Sequence, residues 1–136
     1  KVPAQIQRLR AAGKQPPPPA VLLHNLKTVY AAGIPVVMGT DAGNIGTLHG
    51  PSVFREMALM QQAGLTPIQV LRSATVVGAR AARREREAGI IAPGRAADLV
   101  LLDADPTIDI ANASRVYRVM RAGKVYDPDE LVATLR

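Results

Sequence analysis

At 136 residues the chain is long enough for one hydrophobic core of ordinary size. A hydrophobic content of 48% with 21% charged residues excludes an unfolded, highly charged protein. No apolar run approaches the roughly 20 residues that cross a bilayer, and with no cysteine the chain has no disulfide, thiolate ligand or thiol nucleophile.

The net charge of +6 invites a nucleic-acid reading, because phosphates are bound by Lys and Arg. Two features oppose it. Arg80, Arg83, Arg84 and Arg86 form the densest basic cluster, but Glu85 interrupts it and Glu87 follows, as on a solvated helix end. Aromatic residues amount to 3%, too few for a base-stacking surface. Lys1 to Arg10 is mixed and polar, unlike a secretory signal. The chain opens on Lys rather than Met, so any export signal is expected upstream of Lys1; a soluble, cytoplasmic protein is the default expectation.

Ile6, Leu9 and the stop at Gly13 predict a short helix over Lys1–Gly13. Pro16–Pro19 then reads as a stiff polyproline connector, with an SH3-type ligand as the alternative. Helix is expected again over about 20–32, with Leu22, Leu26, Val29 and Tyr30 on its buried face and Gly33 as its stop. His24 falls off that stripe and reads as a surface or edge histidine.

Ile34 to Met38 is an unbroken apolar run, the pattern of a strand buried on both faces in a parallel sheet, and the strand is expected over 34–39. Asp41 follows at once, between Gly39 and Gly43. Carboxyl ends of parallel strands are where α/β folds gather their chemistry. An Asp before Ala-Gly also caps turns by accepting backbone N–H bonds. Both roles are open on this stretch alone. A loop of small and polar residues runs from Ala42 to Gly50 and contains His49.

Pro51 opens a helix expected over 51–63, with Val53, Met57 and Met60 on one face and Glu56 near its start. Thr66, Pro67 and Gln69 spell a capping box for a helix expected over 67–83, with Ile68, Leu71 and Thr75 continuing the apolar pattern. Ala74, Gly78, Ala79, Ala81 and Ala82 suit close packing. From Gly89 the texture becomes that of short strands. Ile90–Ile91 enters a Pro93–Gly94 turn of type II, Ala97–Leu102 forms a strand, and Val116–Arg121 with Lys124–Tyr126 makes a hairpin. A terminal helix starts at Asp127-Pro128-Asp129-Glu130. Asp98, Asp103, Asp105 and Asp109 do not have calcium-loop spacing and read as strand-end and turn residues.

Taken together, Ala32 to Gly43, His49-Gly50, Glu56, Ala63 to Pro67, Ala74-Thr75 and Gly89 to Pro106, with Ala92-Pro93-Gly94-Arg95-Ala96-Ala97-Asp98-Leu99 most telling, carry a resemblance. The chain resembles the C-terminal part of a metal-dependent amidohydrolase, closest to the imidazolonepropionase-like and prolidase-like branch. The resemblance implies an α/β fold: the last strand and helices of a distorted (β/α)8 TIM barrel over residues 1–88, and part of a small composite β-sandwich domain with a terminal helix over 89–136. It implies that Asp41 is the metal-binding aspartate at the tip of the eighth strand. There it also takes a proton from the metal-bound water, whose pKa a divalent metal lowers to about 7. His49 is the candidate for contacting substrate or the oxyanion, with a loop-ordering hydrogen bond as its alternative; Glu56 is expected to order the loop or helix.

The implied cofactor is one or two divalent metal ions, with zinc expected. The family's His-x-His pair, its middle-strand Lys or Glu and its other histidines are absent, and neither His24 nor His49 matches them. A barrel of this type takes about 250 residues. The expected partners are therefore a small-molecule or dipeptide-like substrate and a missing N-terminal barrel segment or complementing chain. The chain by itself is expected to be inert, and a homo-oligomer is left open. The rival reading is a non-catalytic interaction or structural module derived from an amidohydrolase.

Overall fold

The computed structural model describes residues 19–44 and 47–134. The expected helix over Lys1–Gly13 and most of the polyproline segment lie outside these residues. Pro19 itself has φ −56° and ψ 131°, the polyproline conformation, and leads into helix α1, Ala20–Ala31. α2 spans Pro51–Gln62 and α3 spans Pro67–Arg72. A π-helical turn, Ser73–Val77, continues α3 directly into α4, Gly78–Ala81. The three strands β1, Leu99–Leu102, β2, Val116–Arg121, and β3, Lys124–Tyr126, form one antiparallel sheet in the order β1-β2-β3. A 3-10 turn, Ile110–Ser114, precedes β2, and α5, Pro128–Ala133, closes the described chain. No helix among the described residues is long and apolar enough to cross a membrane.

The core is Met57, Met60, Ala63, Leu65 and Val70 from the α2–α3 hairpin, with Ile110 and Ala113 from the 3-10 turn. Met60 and Val70 are sealed at 1% and 0% exposure where α2 meets α3. The capping box forms as its letters predict. Thr66 N donates to Gln69 Oε1 at 2.8 Å and Gln69 N donates to Thr66 Oγ1 at 3.4 Å. The 3-10 turn was not foreseen, because Ile-Ala-Asn-Ala-Ser carries no periodic signal; Asp109 caps it through Ala111 N and Gln61 Oε1 accepts its Ile110 N–H.

Three expectations need correction. The segment 34–39 is extended but belongs to no sheet among the described residues. Its burial alternates from Val36 to Thr40, with Val36, Met38 and Thr40 turned inward and Val37 and Gly39 outward. A strand exists only by virtue of a neighbour, and here the segment rests on helix backbone instead: Met38 N donates to Ser73 O at 3.3 Å. The inward faces of the helices also differ from the expected stripes. Leu23, Leu26 and Tyr30 of α1 meet the core while Leu22 and Val29 are exposed, and Val70 and Ser73 are buried where Ile68 is exposed. Ile90–Ile91 forms no strand. The chain is held there by turns: Arg95 N donates to Ala92 O across Gly94 at φ 80°, the expected type II geometry, and Ala96 N donates to Glu87 O at 2.8 Å.

The strand expected from Ala97 starts only at Leu99, because Ala97 and Asp98 are engaged elsewhere. They hold the β2–β3 turn, in which Ala122 (φ 50°) and Gly123 (φ 81°) both take left-handed backbone, as a type I′ hairpin requires. Ala122 N donates to Asp98 Oδ1 at 2.7 Å, Gly123 N donates to Ala97 O at 3.0 Å, and the Arg121 guanidinium pairs with Asp98. The Ala122 N–H, ahead of the Arg121 charge, holds the Asp98 carboxyl below its usual range. Asp127 caps α5 through Asp129 N and pairs with Arg118 at 2.8 Å, tying the last helix to β2.

Gly89, at φ 91°, is packed so closely that a Cβ there would lie 2.8 Å from Ala79 Cβ and 3.0 Å from Val76 Cα. Gly94, at φ 80°, has open space around it. Gly89→Ala is expected to add an overpacking cost of about 1–3 kcal/mol to the backbone strain that Gly94→Ala also carries. Urea unfolding of the two variants should separate them in that order. For Asp98 the depressed pKa means that its stabilisation is present above the unfolded value near 3.9 and disappears as pH falls through the lower folded value. Asp98→Asn should therefore lower the melting temperature at pH 7, with the difference from the parent shrinking below about pH 4.

Candidate active site in the loop after the extended segment

Asp41 stands at the end of the extended segment, exposed, with φ 49°. Aspartate is among the few residues that visit this left-handed region readily, because its short side chain bonds locally. It does so here: Asn44 Nδ2 donates to Asp41 Oδ2 at 3.1 Å, and Asn44 N donates to Asp41 O at 3.3 Å. Thr47 closes the loop from the other side. Its hydroxyl bridges Asp41 O at 2.9 Å and Asn44 O at 3.1 Å, its N–H donates to Asn44 O, and its carbonyl accepts Gly43 N at 3.1 Å. The backbone of Asp41 is thus tied down on both sides while its carboxylate stays in water.

His49 is exposed in the same loop. Its Nε2 lies 3.3 Å from where a Cβ on Gly43 would sit, so the imidazole stands over the Gly43 backbone and would have to shift by a few tenths of an ångström for a Cβ there. Asp41 and His49 are therefore brought to one loop, with no hydrogen bond between them among the described residues. Ser52, in the first turn of α2, fixes the loop's exit: Leu48 N donates to Ser52 Oγ at 2.8 Å. Glu56 lies one turn further along α2, in line with the sealed Met60, and is half-buried. Burial pushes its carboxyl above the usual range, against a smaller opposing pull from Arg55. His24 is exposed on α1, away from this loop; its backbone carbonyl accepts the Thr28 hydroxyl.

Asn44, Thr47 and Ser52 were not singled out from sequence. For Asn44 and Thr47 the signal was present in small polar residues three and six positions after Asp41, and for Ser52 in a hydroxyl in the first turn of a helix, four positions after Leu48.

The Amidohydrolase family matches residues 22–126, most of the chain and all of this loop. The chain belongs to the amidohydrolase family.

Within it, the chain is 36% identical over 106 residues to an imidazolonepropionase of Shouchella clausii (strain KSM-K16), covering 74% of this chain and 23% of that protein. It is 38% identical over 106 residues to an adenine deaminase of Mesorhizobium japonicum (strain LMG 29417 / CECT 9101 / MAFF 303099), covering 74% of this chain and 17% of the relative. Among solved structures, molinate hydrolase superposes with a TM-score of 0.73 at 27% identity, over 91% of this chain and 30% of that one. A Xaa-Pro dipeptidase with bound methionine in the active site gives 0.71 at 27% identity, over 78% and 25%. These similarities place the amidohydrolase segment in the imidazolonepropionase-like and prolidase-like branch and imply a TIM-barrel type of α/β fold. The chain spans about a quarter of the length of the imidazolonepropionases it matches.

Amidohydrolases are generally metal-dependent. Among the described residues no group of three or more His, Cys, Asp or Glu side chains is placed to share one ion. A catalytic zinc takes three protein ligands, so Asp41 by itself does not fit a metal centre.

Thr47→Val removes the hydroxyl that bridges Asp41 and Asn44 while keeping side-chain volume. Each such bond is worth about 0.5–1.5 kcal/mol. Amide exchange of Gly43 and Asn44 should accelerate by roughly the corresponding factor of 2–12, while exchange at Val70 in the core stays unchanged.

Proposed function

We propose that this chain is the C-terminal segment of an amidohydrolase that hydrolyses C–N bonds in amide, cyclic-amide or dipeptide-like small molecules, with Asp41 as its reacting carboxylate. The observation that carries the reading is the Asp41 loop: a solvent-facing carboxylate at the end of an extended apolar segment, with its backbone clamped by Asn44 and Thr47. The names of its relatives, an imidazolonepropionase and a Xaa-Pro dipeptidase among them, support the substrate class.

In this reading Asp41 accepts a proton from water as the water oxygen bonds to the carbonyl carbon. The same proton then passes to the leaving nitrogen as the C–N bond breaks, so the carboxylate is regenerated. Such proton transfer contributes about 10²–10⁴-fold to a rate. His49 lies in the same loop and contacts the substrate or its developing oxyanion. A divalent ion, zinc in this reading, needs ligands beyond Asp41. They come from the rest of the barrel, which is the partner this segment requires, and the segment without them is inert. The exposed Ile34 at the start of the extended segment suits that partnership, since it is apolar and faces solvent here.

The test is Asp41→Asn in the intact enzyme, assayed on a panel of amides, cyclic amides and Xaa-Pro dipeptides. Turnover is expected to fall by about 10²–10⁴-fold with the melting temperature preserved. His49→Ala is expected to lose less, in both kcat and KM. Full turnover by Asp41→Asn would refute the role of Asp41. No hydrolysis of any panel member by the metal-loaded parent would favour a non-catalytic module.

A further inference from the structure

We propose that the π-helical turn Ser73–Val77 is the positioning element of the site: it fixes the extended segment and thereby the place of Asp41. The proposal rests on the reading of Asp41 as the reacting carboxylate. Between Pro35 and Thr40 one backbone hydrogen bond holds the segment among the described residues, Met38 N to Ser73 O. Met38 lies three residues before Asp41, about 10 Å of extended chain.

Ser73 opens the π turn and is 1% exposed. In a regular α-helix its carbonyl would be committed to the residue four positions on. A π turn shifts that pattern to the fifth residue and widens the helix, and such single turns occur frequently at functional sites. Here the carbonyl of Ser73, the first residue of the widened turn, accepts the Met38 N–H at 3.3 Å.

The contact continues one turn along. A Cβ on Gly78 would lie 3.9 Å from Val37 Cγ1 and 3.6 Å from Ser73 O, so an alanine fits at ordinary contact and atoms beyond the Cβ would reach toward Val37. From the opposite side the Gly89 backbone closes on the same turn, against Thr75 O, Val76 Cα and Ala79 Cβ. Thr75 Oγ1 donates back to Leu71 O at 2.7 Å within the helix. The π turn is therefore gripped from behind and passes its position forward to residues 37 and 38. Asp41 moves if it moves.

The experiment is a size series at Gly78 in the intact enzyme, read by kcat, KM, thermal melting and amide exchange at Met38. Gly78→Ala should leave kcat within about twofold of the parent. Gly78→Val should push Val37 and Met38 outward and accelerate Met38 exchange. Its kcat should fall by about 10–100-fold with KM within about threefold, since an ångström of misplacement costs up to about 10² in rate. Adding Val37→Ala to Gly78→Val should restore both kcat and Met38 protection, because it returns the space taken. Should Gly78→Val fail to fold, Val37→Ala by itself carries the test. It removes the Val37 methyl nearest Gly78 and should accelerate Met38 exchange and lower kcat.

Faster Met38 exchange with unchanged kcat would overturn the proposal. So would a loss of kcat that the Val37→Ala companion fails to rescue while Met38 protection returns. Neither result touches the assignment of Asp41, which stands or falls on Asp41→Asn.

Discussion

The helix from Pro67 to Ala81 is approached by backbone on two sides, and the rest of the structure depends on that double approach. On one side the extended segment meets it at Ser73 and Gly78; on the other the loop at Gly89 meets it at Thr75, Val76 and Ala79. Backbone can come this close only where side chains are absent or small, which is what Ser73, Ala74, Gly78, Ala79 and Gly89 provide. Interiors are packed densely enough that such a contact transmits displacement instead of absorbing it. The Asp41 loop and the start of the β segment are therefore both referenced to one stretch of helix. The core beneath, Met60 against Val70 with Ile110 and Ala113, keeps that stretch in place.

Local chemistry was legible in the sequence wherever a few neighbouring residues decide the geometry. The Thr66–Gln69 capping box, the type II turn at Pro93-Gly94, the hairpin at Ala122-Gly123 and the Asp127 cap all stand as their letters imply. The caps and the type II turn depend on hydrogen bonds two to four residues apart, which a sequence states outright, and the hairpin turn on the left-handed backbone of two adjacent residues. What was not legible depends on partners distant in the chain. The segment 34–39 has the composition of a central strand, but strand character is completed by a neighbour's ladder, and composition cannot supply one. Leu22 and Leu26 are equally apolar; which of them turns inward was decided by where α2 lies. The π turn had no signal in Ser-Ala-Thr-Val-Val, because an extra residue in a helix is a matter of register rather than of residue type.

The site divides in the same way. Asp41 drew notice because a carboxylate three residues after an apolar run and between two glycines is unusual: the run wants burial and the carboxylate wants water, so the chain must break surface there. His49 was legible only as a titratable residue in a loop of glycines. Its position over Gly43 depends on the loop's fold, which is set by Asn44 and Thr47 through bonds to Asp41's own backbone. Residues that shape such a loop look like ordinary small polar residues until the loop is closed.

Asp41 combines two demands that oppose each other. Its backbone is held in left-handed conformation at φ 49°, which an L-residue adopts at some cost, while its side chain makes only one hydrogen bond among the described residues. A residue whose sole task was to cap the turn would place its carboxylate on backbone N–H groups, as Asp98, Asp105, Asp109 and Asp127 all do in this chain. Asp41 instead receives a side-chain amide and leaves the turn to be closed by its carbonyl oxygen. The four capping aspartates thus serve as an internal control. Where this chain needs a cap it binds the carboxylate to the main chain, and at Asp41 it binds the main chain to everything else and keeps the carboxylate at the solvent-facing end. That division of labour sets Asp41 apart from the four capping aspartates, and it rests on hydrogen-bond partners that the sequence alone does not name.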